Sequence, residues 1–401
     1  MRPRTSISSI SSRLCFRIPS DRRTLTSDFI FEAIPENDVV LLKQRGPKEA
    51  RWRLSHPLQS SHDKSVKLHF GARIPHVNII GRRVLDIVKD STGLDVVLYA
   101  PSLPRSIVHA PRHAVPIYPA DAQTIVNLMD INVERPDPED DGQTCDEPFE
   151  VFEAGTGAGS LTVHIAKALH AGNPGLPKEL RESIAGARLS LDALLSRSGA
   201  AKSLADAYLP RRRAILHTLD RNPKHTHTAH AMIHGFKRGM YLPNIDFHAG
   251  LIPEYLTQRL EERDGRPFLS RVVLDLPTAS EYAELLIRCM HVNATLTLFT
   301  PSISQIASFE SWSSTTGQPL VQDRVVELPT DSSDEHGVMG KEGGRPWKVK
   351  TVVPKRRDDG APLVQIMRPL VGERVAGGGF VGVYRKMRRG QDKIIEHHWN
   401  I

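Results

Sequence analysis

The stretch Phe149-Glu-Val-Phe-Glu-Ala-Gly-Thr-Gly-Ala-Gly-Ser-Leu-Thr162 decides the predicted fold. Its apolar residues up to Ala154 predict a strand, the segment from Gly155 to Ser160 predicts a tight loop, and Leu161 to Ala171 predicts a helix. A strand, a glycine-rich loop and a helix form the first unit of a doubly wound sheet, and the start of such a helix offers free N–H groups to a ligand. The stretch therefore predicts an α/β fold that binds a nucleotide-like molecule.

Further apolar segments, separated by helical stretches, extend this pattern toward the C-terminus. Alternating strands and helices predict a largely parallel sheet. The predicted strands are Ala214 to Leu219, Ile245 to His248, Arg271 to Leu276 and Ala294 to Thr300.

Before this α/β region, short apolar runs are punctuated by Gly, Pro, Asn and Asp, which predicts a small β-domain over residues 28–112. The second domain then covers residues 113–401, with insertions near 134–150, 172–213 and 308–360. The insertion at 172–213 is predicted to contain a helix, because Leu180, Ile184 and Leu191 follow helical spacing. The insertion at 308–360, rich in Ser, Thr, Gly and charge, is predicted to be a variable or partly disordered loop.

Composition narrows the function classes. The chain has 401 residues, 39% of them hydrophobic, and contains no apolar run of the roughly 18 residues that a membrane span needs. Its three cysteines are scattered, which argues against a zinc site or a disulfide framework, so no metal is predicted. A net charge of +7 favours an anionic partner without identifying it.

The first 27 residues contain six arginines and one acid, Asp21. Ile7, Ile10 and Leu14 can share one helical face while Arg13 and Arg17 lie on another, the pattern of a mitochondrial transit peptide. The segment predicts a mitochondrial location. The alternative is an uncleaved basic tail that touches RNA, which would be compatible with a nuclear protein.

The loop glycines are spaced GxGxG and follow an acid, Glu153, whereas the dinucleotide fingerprint is GxGxxG. The segment resembles motif I of Rossmann-like methyltransferases, in which the loop wraps the methionine part of S-adenosylmethionine. A dehydrogenase is the alternative that this loop alone leaves open. Asp220 ends the next predicted strand, where an acid can accept hydrogen bonds from both ribose hydroxyls of an adenosine ligand.

Five short blocks occur in the order found in one family. They are Ile79-Ile80-Gly81, Tyr118-Pro119-Ala120-Asp121, Asp275-Leu276-Pro277, Pro301-Ser302-Ile303-Ser304-Gln305 and Gly378 to Lys386. Together with motif I they resemble the tRNA adenine-58 N1-methyltransferases over about residues 36–387. The resemblance implies a Rossmann-like methyltransferase sheet preceded by a small N-terminal β-domain.

The resemblance also implies the reaction, which is transfer of a methyl group from S-adenosylmethionine to N1 of an adenine in tRNA. It implies tRNA as partner and assembly as a homotetramer or as a heterotetramer with a non-catalytic subunit. Asp275 is predicted to be catalytic, and Tyr118 to form a wall of the base pocket, although an aromatic residue beside Pro119 equally fits packing. The predicted cofactor-binding residues are Ile117, Glu153, Gly155, Gly157, Ala158, Gly159, Ser160, Asp220, Gly250, Leu251 and Asp275.

Several positions depart from the family pattern. Ala120 replaces a lysine, Thr278-Ala279-Ser280 replaces a segment with Pro-Trp, Gly250 stands where the family has an acid, and Gly377 to Gly379 replaces His-Thr-Gly. Two alternatives stay open at this point. One is a non-catalytic RNA-binding subunit that kept the fold, and the other is a methyltransferase for another RNA.

Overall fold

The structure is a computed structural model, and it describes residues 33–44, 51–135, 147–186, 200–333, 347–352, 364–369 and 374–388. The predicted targeting segment at 1–27 lies outside the described residues, as does most of the predicted insertion at 134–150. Among the described residues, no helix is both long and apolar enough to cross a membrane.

The N-terminal part is a small β-domain. A four-stranded antiparallel sheet with the order β2-β1-β6-β5 lies beside a hairpin of β3 and β4. Leu42, Leu58, Ile74 and Leu98 are fully buried in its core. The strands are β1 (Leu41–Gln44), β2 (Arg51–Leu54), β3 (Ser65–Lys67), β4 (Arg73–Pro75), β5 (Ile87–Lys89) and β6 (Asp95–Tyr99).

The second domain contains a seven-stranded sheet. Its strands are β7 (Phe149–Ala154), β8 (Ala214–Asp220), β9 (Ile245–Ala249), β10 (Leu269–Leu274), β11 (Met290–Thr300), β12 (Leu320–Ser333) and β15 (Arg374–Lys386). The order is β12-β15-β11-β10-β7-β8-β9, with β7 to β11 parallel and β15 antiparallel to both of its neighbours. A separate antiparallel pair is formed by β13 (Trp347–Val352) and β14 (Val364–Pro369).

Nine α-helices lie within the described residues. They are α1 (Leu103–His109), α2 (Pro119–Leu128), α3 (Ser160–Leu169), α4 (Lys178–Gly186), α5 (Ala200–Tyr208), α6 (Pro223–Gly235), α7 (Ile252–Glu261), α8 (Ser280–Cys289) and α9 (Ile303–Thr316). β7 is buried along almost its whole length, as expected for a central parallel strand covered on both faces. In α3, Leu161, Ile165 and Leu169 recur at helical spacing and are all buried.

The strand order indicates where a ligand-binding crevice lies. From β7 the chain runs outward through β8 to β9 and then crosses back to β10 on the other side of β7. The crossover reverses the direction of winding, and ligands of open α/β sheets bind where this happens, at the carboxyl ends of the strands. The residues that follow β7 and β10 therefore border the expected binding site.

The structure differs from the sequence prediction in two regions. Residues 308–316 belong to α9 and 320–333 to β12, so this part of the predicted loop at 308–360 is regular structure, because Phe309 and Leu328 are buried. Helix α1 lies inside the predicted β-domain, and its Leu103 and Ile107 pack in the core of the second domain.

Candidate functional site

Two backbone segments meet at the switch point. The Asp275 N–H, just after β10, donates a hydrogen bond to the Ala154 carbonyl at the end of β7, at 3.0 Å. The loop from Gly155 to Ser160 begins at this contact. The two features predicted for cofactor and base are thus neighbours at one edge of the sheet.

The loop depends on glycine at two positions. Gly155 has φ +100°, and a Cβ atom there would lie 2.6 Å from the Asp275 carbonyl oxygen. Gly159 has φ +82°, and a Cβ atom there would lie 2.7 Å from Cβ of Ala229 in α6. Both contacts are shorter than real Cβ atoms make, and both φ values suit glycine. At Gly157 the nearest atom would be 3.8 Å away, so that side of the loop is open.

Asp220 ends β8 and is tied to the same loop. Its carboxylate accepts hydrogen bonds from the Gly157 N–H at 2.9 Å and the Asn222 N–H at 2.8 Å, and it lies 3.2 Å from His225 Nδ1. Because two oxygens offer about four acceptor positions, the side chain retains capacity for a ligand hydroxyl. Its placement fits the predicted ribose contact.

Gly250 and Leu251 follow β9 at the same edge. The Gly250 N–H donates to the Asp220 carbonyl at 3.1 Å, so this turn lies directly beside the end of β8. Leu251 is 48% exposed although it is apolar. An exposed leucine beside a predicted ribose acceptor offers an apolar surface to an adenine ring.

Asp275 is the half-buried carboxylate of the crevice. Burial, and then the negative charge of Asp220, raise its pKa to about 6. No hydrogen bond to this carboxyl group is made by the residues that the structure describes. The group is therefore ionised at neutral pH and available to accept a hydrogen bond from a ligand.

Glu153 lies beneath the loop and not in the crevice. It is 0% exposed, and its Oε2 accepts a hydrogen bond from the Thr218 hydroxyl at 2.7 Å. Thr218 is in turn 2.7 Å from the Thr156 hydroxyl, so the three side chains link β7, β8 and the loop. Burial raises the pKa of Glu153 to about 8. This carboxyl group supports the loop, and its predicted contact with the cofactor stays a prediction.

The raised pKa gives a stability test. Because the folded chain holds a proton on Glu153 that the unfolded chain releases near pH 4.5, the stability of the wild type should fall as the pH rises from about 4.5 to about 8. Glu153→Gln removes this titration. Its melting temperature relative to the wild type should therefore increase between pH 5 and pH 9, as measured by thermal denaturation.

The exposed residue Glu284 provides the control, because Glu284→Gln also removes one carboxylate. Its melting temperature should follow that of the wild type across the same pH range. Equal pH profiles for Glu153→Gln and the wild type would contradict a protonated Glu153.

The segment that enters the second domain borders the loop from the other side. Cβ of Ala114 lies 4.0 Å from the position that a Cβ on Gly157 would take. Ile117 packs against the main core, and half-buried Tyr118 directly precedes α2. Asp121 accepts a hydrogen bond from the Gly378 N–H at 3.2 Å, which fixes α2 to β15.

Ala158 and Ser160 complete the predicted set. Ala158 is half-buried in the loop, and Ser160 is a buried first residue of α3. Sequence reasoning missed Thr156, Thr218 and His225. The register that places Thr218 opposite Glu153 was the missing information, because a parallel pairing cannot be read from one strand.

The basic run Arg211-Arg212-Arg213 has a structural role at its centre. The Arg212 guanidinium donates to both carboxylate oxygens of Asp246, at 2.8 and 3.0 Å. The ion pair ties the start of β8 to β9. Arg212 is therefore occupied and is not a phosphate ligand.

Two clefts lie elsewhere in the molecule. One, of about 360 Å³, is lined by residues between His62 and Ser91, and another, of about 630 Å³, lies between the N-terminal domain and helices α4 and α6. Neither contains a predicted site residue. Within the described ranges, no group of three or more His, Cys, Asp or Glu side chains is arranged to hold a metal ion.

Comparisons with known proteins agree with this geometry at the level of fold. No family model matches the chain. Over 101 residues it is 29% identical to TrmI, a tRNA (adenine(58)-N(1))-methyltransferase of Thermus thermophilus; the match covers 25% of this chain and 34%, about a third, of that protein. A SAM-dependent O-methyltransferase from Thermotoga maritima superposes with a TM-score of 0.54 at 15% identity, covering 89% of this chain and 96% of that one.

TrmI from Aquifex aeolicus has a TM-score of 0.49 at 15% identity, with 89% of this chain and 99% of that chain covered. The chain has the fold of Rossmann-like methyltransferases, with a small antiparallel domain at its N-terminus, and it is similar in sequence to TrmI.

Proposed function

We propose that this protein transfers the methyl group of S-adenosylmethionine to N1 of an adenine in tRNA, and that the target is adenine 58, as in the name of TrmI. The observation that carries the proposal is the close approach of Gly155 and Asp275 at the switch point of the sheet. A cofactor loop and a base-facing carboxylate are in contact through their backbones. A methyl donor and an acceptor base can therefore be held side by side.

The residues of the crevice fit S-adenosylmethionine. The narrow turn at Gly155 and the open side at Gly157 form a cradle that side chains would fill. Asp220 stands at the place for the ribose hydroxyls, and the exposed Leu251 with the backbone of Gly250 bounds the adenine. Ile117, Ala158, Gly159 and Ser160 complete the walls of the cofactor site. The bound cofactor supplies an electrophilic methyl group.

Asp275 provides the main chemical assistance. Its carboxylate accepts a hydrogen bond from the exocyclic N6 amine of the target adenine, which makes N1 a better nucleophile. It also stabilises the positive charge that the methylated ring gains, an effect that is strongest where water is excluded. The remaining rate acceleration comes from the fixed position of the two reactants.

The target base has to leave its stack, because N1 lies on the Watson–Crick edge and is hidden in a folded T-loop. Tyr118, four residues after Ala114 in the segment that borders the loop, forms one wall of the pocket that receives the everted base. The proposal includes assembly as a homotetramer or as a heterotetramer with a non-catalytic subunit. It also includes a mitochondrial location, with the nucleus as the alternative.

The test is methyl transfer to unmodified tRNA. The purified full chain is incubated with radiolabelled S-adenosylmethionine and either a tRNA transcript or the same transcript with adenine 58 replaced by guanine. Label is expected only in the first. Primer extension should stop one nucleotide before position 58, because N1-methyladenine cannot form a Watson–Crick pair.

Other outcomes separate the alternatives. Equal label in both transcripts would reject adenine 58 as the target while keeping RNA methylation. Calorimetry that shows no binding of S-adenosylmethionine, together with binding of tRNA, would support the non-catalytic RNA-binding subunit and overturn the proposal.

A further inference from the structure

A cluster of cations and aromatic rings surrounds strand β2 at the edge of the N-terminal sheet. We call it the β2 patch. Its arginines Arg51 and Arg53 are exposed, and neither forms an ion pair with any residue that the structure describes. The patch consists of Lys43, Arg51, Trp52, Arg53, Phe70 and Arg105.

The aromatic rings hold the cations in place. The Arg105 guanidinium lies over the Trp52 ring at 4.2 Å from its centre, and Lys43 Nζ lies at 5.2 Å from the same centre. Arg51 lies over Phe70 at 4.6 Å. A cation–π contact fixes a guanidinium without neutralising it, so the N–H groups of Arg51 remain available for an anion.

Two cations of the patch also lie close to the half-buried side chain of His109. Burial, followed by the positive charges of Arg105, Arg53 and His69, lowers the pKa of His109 to about 4. Arg53 of the strand and Arg105 of the helix therefore act on the same half-buried side chain. Such a concentration attracts a polyanion more strongly than scattered surface charges do.

Phe70 supplies an independent observation. It is 60% exposed and has φ +60°, a left-handed conformation that costs energy in a residue other than glycine. Neither burial nor an easy turn explains a phenylalanine here. An exposed ring beside a guanidinium is the combination on which nucleic-acid bases stack.

The patch is firmly connected to the crevice. Helix α1 carries Arg105 and buries Leu103 and Ile107 in the same core as Val151 of β7. The chain that leaves α1 then passes Ala114, which borders the open side of the loop at Gly157. A polyanion bound at the patch would therefore lie at a fixed position relative to the catalytic site.

On this basis we propose that the β2 patch binds the phosphate backbone of the RNA whose target base enters the crevice, with Phe70 stacking on an unpaired base. This inference rests on the proposed function, because an RNA methyltransferase has to hold its substrate outside the pocket. A charged edge strand can also serve to prevent pairing with another sheet. The strained, exposed Phe70 is not explained by that role.

The test compares the double variant Arg51→Ala/Arg53→Ala with the wild type. Binding of a fluorescent tRNA transcript is measured by anisotropy at several salt concentrations. We expect about a tenfold weaker affinity and a salt dependence shallower by about one to two in log–log slope, which is the loss of one or two phosphate contacts. The KM for tRNA should rise with little change in kcat, and affinity for S-adenosylmethionine should stay unchanged.

Two further variants test whether the position of the lost charges matters and whether a loss of binding comes from unfolding. Arg266→Ala/Arg288→Ala removes two exposed arginines from the second domain and should leave tRNA affinity near the wild-type value. Phe70→Gly removes the ring and suits the left-handed backbone. It should weaken tRNA binding while the melting temperature stays the same or rises.

The outcomes for the two proposals differ. A wild type that neither binds nor methylates tRNA would remove the proposed function and this inference together. If the wild type methylates tRNA and the double variant matches it in affinity, salt dependence and KM, this inference alone is overturned. It is also overturned if the double variant loses binding to phosphatidylserine vesicles but keeps its affinity for tRNA.

Discussion

Gly155→Ala is expected to weaken S-adenosylmethionine binding at least about a hundredfold. The alanine would have to adopt φ +100°, and its Cβ would lie 2.6 Å from the backbone oxygen of Asp275. Such backbone strain costs about 1 to 3 kcal/mol, and the clash adds to it. The free variant relieves this strain by moving the backbone, and cofactor binding has to restore it, so a total near about 3 kcal/mol corresponds to about two orders of magnitude in affinity. Relief of the clash requires the ends of β7 and β10 to separate, which would distort the cradle.

Calorimetry with the cofactor measures this loss, and thermal denaturation without ligand identifies its cause. Gly157→Ala is the matched control for stability, because alanine there also has to adopt a left-handed backbone, with φ +51°, but its Cβ would meet nothing closer than 3.8 Å. In the ligand-free protein, Gly155→Ala should lower the melting temperature clearly more than Gly157→Ala, because the second variant carries backbone strain without the clash. An equal decrease in melting temperature in both variants would contradict the proposed clash with Asp275.

Asp275→Ala is expected to lower kcat for tRNA methylation by about 10² to 10³, the range found when one group that stabilises transition-state charge is removed. The half-buried carboxylate is predicted to contact the base, so affinity for S-adenosylmethionine should change much less than kcat. Asp275→Asn keeps an oxygen acceptor without the charge and should fall between the wild type and the alanine variant. Turnover that survives the alanine substitution would refute the catalytic role.

The pH dependence of kcat/KM, which reports pKa values of the free protein, provides a second readout of Asp275. Its pKa is raised to about 6, so the carboxylate that we propose accepts the N6 hydrogen bond is lost as the pH falls through that value. The wild type should show an acidic limb near pH 6 with the slope of one proton. The same limb in Asp275→Asn would assign it to another group.

Much of the sheet could be predicted from sequence because its strands carry continuous apolar runs. The strand at Phe149–Ala154 begins and ends as predicted, and β8 and β9 extend only one residue beyond their predicted ends. The strand predicted to end at Leu276 ends at Leu274. Asp275 forms its backbone hydrogen bond to β7 just beyond the strand, and a contact between distant segments leaves no local signal.

In the candidate site, too, contacts between distant segments could not be predicted from the sequence. Motif spacing predicted that Gly155, Gly157 and Asp220 border a ligand, and all three lie at one edge of the sheet. The position of Glu153 beneath the loop depends on the pairing of β7 with β8, which a single sequence does not contain. The region after residue 308 was predicted to be a loop because its composition is polar. It nevertheless contains α9 and β12, because each of them buries an apolar face.

Between the turn at residue 155 and the carbonyl of residue 275 there is no room for a single additional carbon atom. A substitution at position 155 therefore cannot narrow the gap gradually, because any side chain there would force the strands apart. Diversity in what such a crevice accepts has to arise along its rim, in segments such as 113–118 and 278–280. These are the segments to exchange in a test of whether the proposed methyltransferase can be redirected to a different nucleobase.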